Sequence, residues 1–186
     1  MTAEIPRGRT GLFLVLLAFL AVNLLMFAAS GVRLGGDTPL YLEGAQGLLA
    51  GEPLTARQPS YLGYIAVVAM SQWSGLGLTG LMLLQILAAT VAAAVVFRMG
   101  VELGGQLAGL LAVVLLTLDV DTNRWHVYVL ADSLYTSMLT VVVWLVYRAA
   151  GRRDPSPQAL RTYVAASVLL VAAALIRPEG WFLIPA

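Results

Sequence analysis

The sequence predicts an all-α fold: a polytopic bundle of transmembrane helices with a juxtamembrane helix in the first outer loop. Three observations carry this expectation. Of 186 residues, 60% are hydrophobic and only 11% are charged, against about 25% charged in a soluble domain. The Leu-, Ala- and Val-rich runs are long and unbroken, whereas strands of a membrane barrel would alternate. The basic residues are grouped at the ends of those runs, as membrane topology requires. The chain lacks cysteine, so disulfide, zinc-thiolate and thiol chemistry are excluded. Its net charge of +1 gives no reason to expect a nucleic-acid partner.

The first element is the apolar run from Leu12 to Ala29, preceded by Arg7 and Arg9. Ala28-Ala29-Ser30 resembles a signal-peptide cleavage site, but the run exceeds the roughly 7–15 residues of a signal h-region. It is long enough to span, and reads as an uncleaved helix. Next comes "GGDTPLYLEGAQGLLAG", residues 35–51. Thr38 suits an N-cap, Pro39 a first helical turn and Gly51 a C-terminal stop. Leu40, Ala45, Leu48 and Leu49 give a rough apolar face, and Gly44 and Gly47 weaken it. This helix is expected to lie in the outer headgroup layer. Four further segments are read as spans: 79–97, 105–118, 131–147 and 163–176. Three of the five spans fall short of about 20 residues and must borrow flanking positions. The stretch 61–73 is shorter still and carries Ser71 and Gln72.

Basic residues set the orientation. Arg148, Arg152, Arg153 and Arg161 make 148–161 the strongest cluster and place it in the cytoplasm, with the N-terminus and, through Arg98, the 98–104 turn. Residues 31–60 and 119–130 then lie outside. Helix 79–97 must start outside, so 61–73 begins and ends on one side and reads as interfacial or re-entrant. The chain is thus a multi-pass protein of the cell membrane with a cytoplasmic N-terminus. The outer face collects Asp37, Glu43, Glu52, Arg57, Asp119, Asp121, Arg124, His126, Asp132, Arg177 and Glu179. Asp132 and Arg177 stand at the ends of apolar helices. A charge costs about 2.5–3.5 kcal/mol at a helix centre and less near an end, so such residues usually face a cavity or a partner.

Two motif matches fail. "GLGLTG" (Gly75, Gly77, Gly80) follows a membrane-apposed segment rather than a strand, so it is no dinucleotide fingerprint. "DVDTN" begins like a calcium loop, but Arg124 and Leu130 stand where a glycine and an acid are needed. A looser divalent-cation site at Asp119 and Asp121 stays open beside the reading of a hydrated turn. Gly105 and Gly109 form a small-xxx-small pair, read as close helix packing. Trp73, Trp125, Trp144 and Trp181 are candidates for interfacial anchors.

The ordered set "GGDTPLYLEGAQGLLAG", "RQPSYLGYIAVV", "LADSLYTSMLTVVVWLVYR" and "LIRPEGWFLIP" resembles the GT-C superfamily of membrane glycosyltransferases. The bacterial branch similar to protein O-mannosyltransferases and lipid A aminoarabinose transferases is nearest. In that pattern an acid follows the first helix, an aromatic and proline stretch comes next, and a second acid opens a later helix. A basic residue with proline and glycine closes the helix after that. Asp37, Pro59-Ser60-Tyr61, Asp132 and Arg177-Pro178-Glu179-Gly180 occupy those places. Family members are much longer, so residues 1–186 read as a single transmembrane domain, the N-terminal portion of a GT-C-like module.

The resemblance implies transfer of a sugar, with inversion, from a polyprenyl-phosphate carrier to a lipid, glycan or protein acceptor on the outer face. It implies catalytic roles for Asp37, as base, and Asp132, which would orient acceptor or sugar or hold a metal. Arg177, and after it Arg57 or Arg124, would bind the carrier phosphate. His126 could donate to that phosphate or be an interfacial residue beside Trp125, Tyr61 belongs to the substrate-binding set, and Glu179 could simply pair with Arg177. No cofactor is required by the sequence, a divalent cation being the one option. A transporter fragment and a non-enzymatic membrane scaffold are the alternatives from other classes.

Overall fold

The computed structural model describes residues 7–151 and 156–183. Arg152 and Arg153, assigned above to the basic loop, and the side chains of Arg7, Arg9 and Trp181 lie outside what is described. The described residues form seven α-helices: α1 (Arg7–Ser30), α2 (Thr38–Ala50), α3 (Leu62–Trp73), α4 (Gly77–Leu118), α5 (Val120–Trp125), α6 (Asp132–Ala150) and α7 (Pro157–Ile176). Short 3₁₀ turns cover Gln58–Tyr61 and Pro178–Leu183. Four helices, α1, α4, α6 and α7, are long and apolar enough to cross a membrane.

Local chemistry sets the ends. Pro39 lies in the first turn of α2, and Gly51 ends the helix at φ 76°, a left-handed conformation that glycine adopts without a Cβ penalty. Thr38 is not the N-cap, however. That place belongs to Asp37, whose side chain makes no capping bond. The buried face of α2 is Thr38, Tyr41, Gly44 and Ala45, whereas Leu48 and Leu49 are exposed. The apolar periodicity misled because Gly44 is the point of closest approach: a Cβ there would sit 2.8 Å from Ile65 Cδ1 of α3. Asp119 caps α5 by accepting from Thr122 N at 3.2 Å, and Ser156 caps α7 by accepting from Ala159 N at 3.2 Å.

α4 is interrupted at Gly104 and Gly105, the latter at φ 79°. The two limbs fold back on each other: a Cβ on Gly109 would meet Phe97 O at 2.6 Å, and one on Gly100 would meet Gly109 Cα at 2.7 Å. Gly109 thus fits the close-packing expectation, while Gly105 is the turn itself. The first limb, 77–103, rises about 40 Å and the second, 106–118, only about 20 Å. The second limb alone falls short of a hydrocarbon core of about 30 Å, and the chain continues through α5 to pair at 127–129 with Arg33, just beyond the end of α1. α3 has 12 residues and rises about 18 Å, too little to cross.

Packing divides into two clusters. Val15 and Phe19 of α1 meet Ala89, Ala93, Phe97 and Val113 of the two limbs of α4. Nearer the Asp37 end, Tyr41, Tyr64, Ile65, Leu81, Met82, Val129, Leu134 and Ile176 draw α2, α3, α4, α6 and α7 together. Gly63 lets α3 touch the α7 backbone, since a Cβ would lie 2.7 Å from Leu175 C. Outward faces are strongly apolar, with Phe13, Leu17 and Leu25 on α1 and Leu160, Val164 and Val168 on α7 exposed, a surface that suits lipid and not water.

The charges sort to opposite ends. Arg148 pairs with Glu102 at 2.7 Å, and the guanidinium groups of Arg98 and Arg148 lie 5.8 and 5.7 Å from the Trp144 ring. Residues 98–103, expected to be a turn, are instead the last part of the first limb of α4, and they share one end with the end of α6. Asp37, Asp132 and Arg177 share the other.

Candidate functional site

Two loops that are distant in sequence build the site. Residues 31–37 run beside 127–131, joined by Arg33 N donating to Val127 O at 2.8 Å and Val129 N donating to Arg33 O at 2.9 Å. Thr38, 1% exposed, completes the seam. Its hydroxyl donates to Val129 O at 3.0 Å and accepts from Gly35 N at 2.7 Å. Gly35 is needed there because a Cβ would lie 2.8 Å from the Leu130 side chain. This seam sets Asp37 beside the loop that opens α6 at Asp132.

The 119–131 loop is itself held from below. Buried Gln85 donates to His126 O at 3.2 Å and Tyr128 O at 3.0 Å, and accepts from the Tyr64 hydroxyl at 2.8 Å. Buried Asn23 donates to Asn123 Oδ1 at 3.1 Å. Asn123 in turn donates to Leu116 O, Thr117 O and Asp119 O. Buried amides that satisfy several backbone carbonyls at once fix a loop tightly, because breaking them leaves polar groups without partners.

The result is a cavity of about 780 Å³ lined by Gly35, Gly36, Asp37, Asp121, Arg124, Trp125, Tyr128, Leu130, Asp132 and Arg177. Four residues expected to act in the site, Asp37, Arg124, Asp132 and Arg177, meet here. Arg177 Nη1 is hydrogen-bonded to Asp132 Oδ1, its Nε donates to Glu179 Oε2 at 3.0 Å, and its guanidinium lies 6.0 Å from the Tyr135 ring. Burial pushes the Glu179 carboxyl up, but the hydrogen bond and charge of Arg177 outweigh it and hold the group below its ordinary value. Arg124 pairs loosely with Asp121 at 3.4 Å, both side chains being more than half exposed. The lining thus sets three aspartates against two arginines.

Other expected residues stand elsewhere. His126 does not line the cavity: it is buried, 4% exposed, with Nδ1 2.7 Å from Ser133 Oγ. Burial lowers its pKa to about 4, so it is neutral at ordinary pH and has no charge to offer a phosphate. Tyr61 is buried against Tyr41, ring centroids 5.4 Å apart and edge-on, which is a packing place. Arg57 lies on the exposed connection before the first 3₁₀ turn and is not part of the lining. Glu179 reaches the site only through Arg177. Both oxygens of Asp119 accept from Thr122, from N at 3.2 Å and Oγ1 at 2.6 Å. Among the described residues no group of three or more His, Asp or Glu side chains is arranged to hold a metal.

Tyr128 and Leu130 were not singled out from the sequence, and no local pattern marks them. Their backbone pairing with 31–38 is what brings them in. Comparison with known proteins adds no identity: no family model, no curated protein and no solved structure matches the chain.

Proposed function

We propose that this chain belongs to the catalytic part of a membrane glycosyltransferase of GT-C type, acting on the outer face with the 148–161 end in the cytoplasm. The donor is a polyprenyl-phosphate sugar and the acceptor a hydroxyl on a lipid, glycan or protein. One observation carries the reading: acids and bases from four separate segments, Asp37, Arg124, Asp132 and Arg177, line a single cavity at one end of an apolar bundle.

The chemistry follows from those groups. The Asp37 carboxylate takes the proton of the acceptor hydroxyl, as a general base within hydrogen-bond reach of it. The acceptor oxygen attacks the anomeric carbon from the face opposite the phosphate, so the carbon–phosphate oxygen bond breaks with inversion. The electron pair leaves on the polyprenyl phosphate. Arg177 spends Nη1 on Asp132 and Nε on Glu179, which leaves its Nη2 donors for that phosphate. Stabilising the leaving charge is commonly the largest catalytic contribution. Asp132 acts as a positioning residue that fixes the guanidinium.

The test is transfer by the purified chain, reconstituted with polyprenyl-phosphate sugars and with any further C-terminal sequence of its gene. Transfer by wild type and its loss in Asp37→Asn are expected. Transfer that persists in Asp37→Asn removes the base assignment, and inert wild type with every donor removes the transferase reading. A transporter draws less support, because its charges would gather at the middle of the helices rather than at one end.

A further inference from the structure

We propose that a second, smaller groove beside the cavity binds a lipid-borne phosphate, with Arg33 as its principal contact. The groove has a volume of about 300 Å³ and lies between the end of α1 (Met26, Ala29), Arg33, Val127 and Arg124. Its lining contains two arginines and no acid, the opposite balance to the large cavity. Two cations with no acid among them favour an anion in the groove.

Three features give the groove its chemistry. Arg33 is fixed through its backbone, which exchanges hydrogen bonds with Val127 and Val129, while its side chain belongs to no ion pair among the described residues. Arg124 has only the exposed 3.4 Å contact with Asp121, a pairing of the kind that stabilises little and yields readily. The apolar wall comes from the last turns of a helix whose other faces expose Phe13, Leu17 and Leu25, so the groove opens where lipid tails would run and headgroups would begin. Two guanidinium groups over an apolar wall match a phosphate carried on a hydrocarbon chain. Arg124 and Tyr128 line both spaces, so this site adjoins the cavity. It does not depend on the transferase reading.

The experiment measures binding to the purified full chain in neutral detergent, by native mass spectrometry and by thermal shift. The probes are short-chain phosphatidic acid, a prenyl phosphate, matched diacylglycerol and inorganic phosphate. Wild type is expected to bind one or both lipid phosphates in preference to diacylglycerol and to inorganic phosphate. Binding of phosphatidic acid alone identifies a bilayer phospholipid as the source, and binding of the prenyl phosphate alone identifies a carrier lipid. Arg33→Gln is expected to weaken binding by about tenfold or more, the factor for one charge-assisted hydrogen bond, with Arg33→Lys intermediate. Arg161→Gln, at the opposite end, is expected to bind as wild type does. The Arg33 variants should melt like wild type without ligand, since the residue is exposed and tied by its backbone. Equal affinity in Arg33→Gln and wild type overturns the site, and equal binding of inorganic and lipid phosphate overturns its lipid character.

Discussion

Replacing Thr38 by valine exchanges one buried hydroxyl for a methyl of nearly the same shape and tests the seam that places Asp37. The hydroxyl serves two backbone groups, Val129 O at 3.0 Å and Gly35 N at 2.7 Å, and Thr38 is almost fully buried. Valine leaves both without that partner. A buried group stripped of its hydrogen bond costs about 1–3 kcal/mol, so the pair predicts a loss of about 2–4 kcal/mol. For a chain of this length that is a fall of roughly 5–15 °C in midpoint. The assay is thermal unfolding in detergent, followed by tryptophan fluorescence, with Thr38→Ser alongside. Serine keeps the hydroxyl and should lose less than about 1 kcal/mol, since only a methyl goes. Valine and serine falling equally would show that the methyl, not the oxygen, matters. A valine variant within about 0.5 kcal/mol of wild type would refute the seam as the element that positions Asp37.

Three further outcomes are expected. Gly63→Ala drives a Cβ to 2.7 Å from Leu175 C and 2.8 Å from Leu175 O, and because backbone cannot yield as a side chain does, stability should fall by about 1–3 kcal/mol or more; an unchanged midpoint would mean that α3 and α7 are not packed this closely. Gln85→Leu strips partners from the Tyr64 hydroxyl and His126 O, so a loss of about 2–4 kcal/mol and faster hydrogen exchange at 126–130 are expected, and unchanged exchange would exclude Gln85 as the loop's anchor. His126 has its pKa lowered from 6.5 to about 4 by burial. Its contribution is complete above pH 6.5 and is lost as pH falls towards 4, because there the unfolded chain binds a proton that the folded one refuses. The loss is about 3 kcal/mol, and His126→Gln should flatten the stability profile across that window; parallel profiles for variant and wild type would contradict a neutral buried imidazole.

The elements were legible where one residue type decides the backbone. Gly51 stops α2 as expected, whereas the break of α4 falls at Gly104-Gly105, at the far edge of the expected 98–104 turn and on a glycine read as a packing residue. The arginines placed residues 98–104 and the start of the 148–161 loop on one side, and the Glu102–Arg148 contact brings them together. Asp132 and Arg177 could be named because a charge at the end of an apolar helix is costly and needs a reason, and Asp37 through the resemblance of the motif that carries it. Gln85, Asn23 and Asn123 could not. Each is a neutral polar residue whose purpose lies in a partner 41 or 100 positions away, and no local periodicity encodes that. His126 misled for a related reason: its ring looks available in sequence, yet Ser133 and the surrounding helices enclose it.

The seam between 31–38 and 127–131 also bears on how the molecule is made. Thr38 and Val129 are 91 positions apart, so the ribosome must deliver α1 through α5 before the first loop finds its mate. Until then Arg33 N and Arg33 O, whose partners are Val127 O and Val129 N, can be satisfied only by water or headgroups, which keeps that loop at the bilayer surface while the later helices insert. The pocket is accordingly a late product of biogenesis, complete only when Arg177 follows α7, and nascent chains arrested before Val127 should leave Asp37 open to the medium.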